Sequence, residues 1–177
     1  MDLIARVKID VNAPVSRVWD ALINPKAIKQ YMFGTDAVSE WKEGSAIIWK
    51  GKWNGKNYED KGKILKIIPG RTIQYTHFSP LMGLPDIQEN YHIVTVELSD
   101  KGAHTLVSLS QTNNPTQEAR KHNEHGWLTL TVWHDGLTAS DTMREGKKSE
   151  NQYQVVICKK PDLVGKRMNG QGCKIRA

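Results

Sequence analysis

The chain has 177 residues, 38% of them hydrophobic, with 25 Lys and Arg against 19 Asp and Glu. No apolar run approaches the roughly 18 residues needed to cross a bilayer, and the first residues lack the basic and apolar regions of a secretory signal. We therefore expect a cytosolic protein without membrane contact, and the wide separation of Cys158 and Cys173 argues against a CxxC-type zinc or redox site.

The charge of the chain is unevenly distributed. Residues 1–143 contain 16 basic and 16 acidic residues, so the net charge of +6 lies entirely in residues 144–177. We predict one domain over residues 1–143 and a basic, flexible tail over residues 144–177. The basic pairs Lys159-Lys160 and Lys166-Arg167 lack interleaved aromatic side chains, so nucleic-acid binding is not expected. Its apolar run, 155–158, is compatible with a strand that pairs with a sheet edge of this chain or another, which leaves a dimer open.

The N-terminal part is predicted to form one strand and two short helices. Weak alternation of apolar residues indicates a strand over residues 3–11. Pro14 suits the first turn of a helix whose apolar face consists of Val15, Val18, Trp19 and Leu22. Pro25 can begin a second helix that runs to Met32, and Gly34 ends it.

Alternating residues over 45–111 predict a long antiparallel meander. The first two strands flank Asn54-Gly55, which is the strongest two-residue hairpin signal because both positions tolerate positive φ. Further strands are predicted over 72–78, 92–98 and 105–111. Residues 79–89, with two prolines and a glycine, are predicted to form a loop.

A long helix is predicted over residues 115–143, at the end of the domain. Asn114 or Thr116 can cap it, and Glu118 suits its first turn. Its apolar face is indicated by residues spaced three and four apart, namely Trp127, Leu130, Trp133, His134 and Leu137.

Four segments, in this order, carry a resemblance to a known family. They are APVSRVWDAL (13–22), GKILKIIP (62–69), VTVEL with TLV (94–98 and 105–107) and Gly126-Trp127. Together they resemble the START-like superfamily, also called SRPBCC, in the branch similar to the C-terminal domain of the activator of the heat-shock-protein-90 ATPase. The segment 41–45 departs from the branch, which usually has paired glycines there, and Thr76-His77 stands where Thr-Trp is common.

The resemblance implies an α+β helix-grip fold. A curved antiparallel sheet wraps around a long C-terminal helix, two short helices follow the first strand, and an apolar cavity lies between sheet and helix. No cofactor is expected. Members bind small hydrophobic molecules, a minority catalyse cyclisation or dehydration, and the branch adds a heat-shock chaperone as a candidate partner. The hypotheses are therefore a soluble binding protein for a small hydrophobic or aromatic ligand, a cyclase or dehydratase, and a co-chaperone-like interaction protein.

Nine side chains are predicted to converge between the sheet and the long helix and to bind the ligand. They are Trp49, Trp53, Tyr58, Tyr75, His77, His92, Trp127, Leu130 and Trp133. Aromatic rings supply contact area, and Tyr or His adds a polar tip. Ordinary core packing would use the same residues, so the sequence leaves open whether the helix seals a core or covers a pocket.

Four of the residues that face the predicted cavity have side chains suited to catalysis. If the protein is an enzyme, Asp60 is a candidate general acid or base with His77 or His92 as its partner, and the Tyr75 hydroxyl could polarise a carbonyl. An aspartate at a strand end that points to water is the alternative. His122 and His125 share a helical face but lack a third ligand, so no metal site is predicted.

Overall fold

The structure is a computed structural model that describes residues 3–32, 34–53, 55–131, 133–134, 137–139, 153–154 and 157–159. Strand β1 (Leu3–Val11) precedes helices α1 (Val15–Ile23) and α2 (Pro25–Tyr31). The meander consists of β2 (Asp36–Ser39), β3 (Ala46–Trp53), β4 (Lys56–Ile68), β5 (Thr72–His77), β6 (His92–Asp100) and β7 (Thr105–Asn114). Helix α3 (Gln117–Thr131) and the short strands β8 (Trp133–His134), β9 (Leu137–Ala139), β10 (Tyr153–Gln154) and β11 (Ile157–Lys159) follow.

Seven antiparallel strands form the main sheet in the order β1-β7-β6-β5-β4-β3-β2, and β10 lies parallel to β1 at its edge. Neighbours in the sheet are mostly neighbours in sequence, as hairpin connections require. The exception is β1, which pairs with β7 and places Ile9 opposite Val107. A second sheet contains β8, β9 and β11. The predicted α+β helix-grip fold is confirmed.

The core lies on one face of the sheet because apolar side chains alternate along each strand. In β6 the buried positions are His92, Val94, Val96 and Leu98, and the residues between them are exposed or half-buried. Helices α1 and α2 cover part of this face with Val18 and Ile28, which belong to the same buried cluster. The predicted strands over 3–11 and 72–78 and the two short helices agree with the structure to within one residue.

Polar contacts fix the start of α3 against β1 and β7. The Thr116 hydroxyl caps the helix, since Ala119 N donates to Thr116 Oγ1 at 3.1 Å, as expected for a threonine cap. Glu124 Oε1 accepts hydrogen bonds from Arg6 N at 3.0 Å and from the Arg120 guanidinium at 2.7 Å. The first turns of α3 therefore meet the sheet edge through charge-assisted contacts.

The prediction that the long helix continues to residue 143 is wrong. Helix α3 ends at Thr131, and the next apolar residues, Trp133 and Leu137, lie in the paired strands β8 and β9. His134 lies opposite Leu137, and the sequence between these two residues reads Asp135-Gly136. An Asp-Gly pair between apolar residues is a hairpin signal that competes with the helical spacing.

Strand β2 was not predicted from the sequence. It has four residues, of which Ala37 is buried, and it pairs with β3 through Ala37 opposite Trp49. One buried side chain gives no alternation to detect. Among the described residues, no helix is long and apolar enough to cross a membrane.

Candidate functional site

A cavity of about 160 Å³ lies between the sheet, the helix pair α1–α2 and the last described turns of α3. Most of its wall is aliphatic or aromatic. The lining residues are Val11, Ala13, Arg17, Val18, Ala21, Leu22, Ile28, Tyr31, Met32, Trp41, Ile47, Trp49, Asp60, Ile73, Tyr75, His77, Val96, Val107, Leu109 and Trp127. Five of the predicted site residues, Trp49, Asp60, Tyr75, His77 and Trp127, are therefore brought together around one space.

Trp49 is the centre of the aromatic part of the wall. Its ring centroid lies 5.3 Å from that of Tyr75 and 5.3 Å from that of His77, in tilted and edge-on arrangements that aromatic pairs favour. Strand β3 holds Trp49 opposite Asp60 of β4, so the carboxylate lies beside this aromatic group. The wall thus combines ring faces with one acidic side chain.

Asp60 and His77 form a polar pair in the cavity wall. His77 Nε2 lies 3.2 Å from Asp60 Oδ2, and the side chains are 28% and 16% exposed respectively. Asp60 Oδ1 is buried and receives no hydrogen bond from any described residue. A carboxylate group can accept several hydrogen bonds, so the described residues satisfy only part of the hydrogen-bond acceptor capacity of Asp60.

Gly62 allows the two strands that carry this pair to approach closely. A Cβ atom at Gly62 would lie 1.7 Å from the carbonyl oxygen of Thr76, which no side chain tolerates. Beyond it the register of β4 and β5 shifts between Ile64 and Lys66, and Lys61 exchanges two backbone hydrogen bonds with Phe78. The shifted register and the glycine together bring β4 and β5 close where they carry the Asp60–His77 pair.

Tyr31 and Tyr75 add two phenols to the cavity wall. Burial raises the pKa of the Tyr75 hydroxyl above its usual value, and burial with a smaller contribution from Tyr75 does the same for Tyr31. Both side chains are therefore neutral at pH 7. A neutral phenol carries one O–H donor and can also accept hydrogen bonds.

His92 supports the wall from outside the cavity. Its ring stacks on that of His77 at 6.3 Å, and its Nδ1 lies 2.9 Å from the carbonyl oxygen of Thr112. Because a carbonyl only accepts, Nδ1 carries the proton. Burial lowers the pKa of His92, and the nearby His77 acts in the same direction against the opposing hydrogen bond to Thr112. His92 is thus a neutral support for His77.

The other predicted ligand residues do not line the cavity or lie outside the described side chains. Tyr58 packs its ring on Gly51, where an added Cβ would meet the phenol carbons at 2.6–2.7 Å. Its hydroxyl is 2.6 Å from Thr35 Oγ1, so Tyr58 connects β4 to the segment after α2. The side chains of Trp53, Leu130 and Trp133 are not among those that the structure describes.

The contribution of the helix pair was missed in the sequence. Arg17 is the exposed member of the wall, and Ala21, Tyr31 and Met32 extend it on α1 and α2. The amphipathic spacing of α1 identified its buried face but could not indicate that this face meets a cavity. Trp41 also lines the space with a φ of 51°, a left-handed conformation that is uncommon for a bulky residue.

No metal centre is found in the part of the chain that the structure describes. No three His, Cys, Asp or Glu side chains there come close enough together to hold an ion. The polar atoms of the cavity suit hydrogen bonding to an organic molecule.

Comparisons with known proteins agree with this geometry. Among solved structures, ChR145 from Cytophaga hutchinsonii is 54% identical, with a TM-score of 0.66 over 73% of this chain and 88% of that chain. CalU16 from Micromonospora echinospora is 20% identical, with a TM-score of 0.54 over 74% and 80% of the chains. An HSP90 activator from Plasmodium falciparum is 17% identical, with a TM-score of 0.55 over 71% and 87%. The last two similarities establish the fold alone.

A search of curated proteins found no match. Residues 12–148 match the family described as activator of Hsp90 ATPase homolog 1-like protein, which covers most of the chain and nearly all the elements around the cavity. The chain therefore belongs to the activator of Hsp90 ATPase homolog 1-like family.

Proposed function

We propose that this protein binds a small, mainly apolar molecule between its sheet and its helices. The observation that supports this proposal is the cavity of about 160 Å³, whose wall is apolar except for a few side chains such as Asp60 and Arg17. Close-packed interiors leave few voids larger than a water molecule, so a space of this size is unusual for a core. Apolar walls with a few polar groups are typical of ligand sites.

The volume limits the size of the ligand. An engineered apolar cavity of roughly 150 Å³ in another protein stays dry and binds benzene. A space of about 160 Å³ therefore suits one aromatic ring or a short aliphatic chain, and a sterol would require the wall to open. Trp49 and Tyr75 present ring faces that complement a flat ligand.

A titration with toluene tests this proposal. Chemical shifts of the indole N–H groups of Trp49 and Trp127 should move in a saturable way as toluene enters the cavity. Ala21→Leu adds three carbons to the wall from α1 and should weaken binding at least tenfold. Ala46→Leu makes the same change at an exposed position of β3 and should leave binding unchanged. Equal binding by the two variants would refute the cavity as the site.

A second candidate function is acid–base catalysis, and the Asp60–His77 contact at 3.2 Å favours it. A carboxylate that holds an imidazole beside a bound ligand can orient the ring for proton transfer. A cyclase or dehydratase of this kind requires that Asp60→Asn or His77→Ala abolish turnover while ligand binding persists. Loss of binding in both variants would instead assign the pair to ligand recognition.

Association with a heat-shock chaperone is the third candidate, and membership in the Hsp90-activator-like family supports it. Such an interaction would use the surface of the domain, so filling the cavity should not affect it. The test is a pull-down with the chaperone at low salt, using the wild type and Ala21→Leu. If neither chain is retained, the chaperone hypothesis fails while the ligand proposal remains unaffected.

A further inference from the structure

We infer that the ligand is a single-ring aromatic molecule with an O–H or N–H group, and that the carboxylate of Asp60 accepts a hydrogen bond from this group. The inference rests on the proposed binding function and specifies its ligand class. It depends on the position of one acidic side chain in a wall whose other residues are mostly aliphatic or aromatic.

The hydrogen-bonding capacity of Asp60 is the first argument. A carboxylate has about four acceptor sites, and among the described residues only His77 Nε2 uses one, at Oδ2. Leaving a buried polar atom without a partner is unfavourable, because its hydration is lost without replacement. A donor that arrives from the cavity would supply the missing hydrogen bond.

The freedom of the carboxylate to turn is the second argument. Asp60 Oδ1 is shielded in the present side-chain position, whereas the side chain as a whole is 16% exposed and lines the cavity. The terminal torsion of aspartate is broad, so a partial rotation of the carboxylate can turn Oδ1 toward the cavity at little cost. The other oxygen then remains available to His77.

The surroundings of Asp60 explain why the ligand should be aromatic. Trp49 lies opposite Asp60 in the strand register, and its ring is 5.3 Å from those of Tyr75 and His77. A flat ring can contact these aromatic side chains while its substituent points to the carboxylate. The volume of about 160 Å³ leaves room for one ring.

Phenol and toluene provide the test because they share a ring and differ in the hydroxyl donor. The dissociation constant of each is measured from the indole N–H shifts of Trp49 and Trp127. For each protein, the dissociation constant of toluene is divided by that of phenol. This ratio is then compared between the wild type and Asp60→Leu, a variant that lacks the hydrogen-bond acceptor. This comparison cancels the different hydration of the two probes.

We expect the ratio to fall at least about tenfold in Asp60→Leu, since hydrogen bonds to charged groups are among the stronger ones. Asp60→Asn keeps the shape and one acceptor oxygen and should give an intermediate ratio. Glu59→Gln removes a charge from the adjacent, exposed position of β4 and should retain the wild-type ratio. If Asp60→Leu does not fold, the Asp60→Asn ratio decides the question.

The outcomes separate the two proposals. If toluene and phenol both bind but their ratio is the same in all variants, the donor inference is wrong and the apolar binding function stands. If neither probe reaches the cavity of the wild type, the binding function itself fails, and the inference fails with it.

Discussion

The close approach of β4 and β5 at Gly62 leads to a prediction with a measurable size. Alanine at this position would place Cβ 1.7 Å from Thr76 O, whereas real Cβ contacts remain beyond 3.0 Å, so the strands must separate locally by more than an ångström. The obstacle is backbone, which cannot rotate away. Overpacking usually costs 1–3 kcal/mol, and we expect Gly62→Ala to lower the free energy of unfolding by about 3 kcal/mol.

Gly126 provides a matched control because the same substitution should have the opposite effect there. It lies inside α3, and no described atom outside its own chain neighbours and helical backbone lies within 4 Å of an added Cβ. Alanine is also preferred over glycine in helices. Gly126→Ala should therefore raise the free energy of unfolding by about 0.5–1 kcal/mol. Urea denaturation of both variants, followed by far-ultraviolet circular dichroism, measures the two changes.

The separation of β4 and β5 should also disturb the site. Asp60 and His77 lie close to the glycine and to Thr76 in sequence, so Gly62→Ala should lengthen their contact, which long-range proton–nitrogen spectra of the imidazole would detect. A Gly62→Ala protein within about 0.5 kcal/mol of the wild type would refute the argument that β4 and β5 cannot separate freely. An unchanged His77 spectrum in a destabilised variant would contradict the expected disturbance of the Asp60–His77 contact.

Three further predictions concern the N-terminal cap of α3, the buried residue His92 and the hydrogen bond between Trp127 and Gln111. Thr116→Ala removes the cap of α3 and should cost about 1 kcal/mol in urea denaturation. Burial lowers the pKa of His92 in the folded protein. As the pH falls below about 6.5, the unfolded chain therefore binds a proton at His92 before the folded protein does, and the free energy of unfolding should decrease. The His92→Asn variant should show a weaker pH dependence. Gln111→Met removes the acceptor 2.7 Å from the Trp127 indole N–H and should cost about 1 kcal/mol in thermal unfolding.

The elements that the sequence predicted well are those whose side chains alternate over many residues. Strand β1 and the β3–β4 hairpin follow directly from apolar spacing and from Asn54-Gly55, because each feature is local. The end of the long helix was missed because Trp133 and Leu137 continue a spacing of three and four. The β-branched residues at 129, 131 and 132 lower the helix propensity toward this end, a signal that competes with the apolar period.

The candidate site was only partly predictable, since alternation identifies the face of a strand but not what covers it. Asp60, Tyr75 and His77 were correctly placed together because β4 and β5 are adjacent strands of one meander. Tyr58 shares the alternation of Asp60 yet packs on Gly51, because the local partner of its ring is a glycine across the strand. The helix residues of the wall depend on how α1 and α2 dock, which no spacing in the sequence specifies.

Helix α3 is attached to the sheet by polar contacts at its start. Its first turns are fixed by hydrogen bonds, from Arg6 N to Glu124 and from the Asn123 side chain to that of Asn114. These contacts require no apolar side chains from α3. Among its described side chains, Trp127 lines the cavity, and the indole N–H donates to Gln111 at 2.7 Å, which fixes the ring at the edge of the wall. The start of α3 is therefore anchored by polar groups, and the Trp127 ring is its described contribution to the cavity wall.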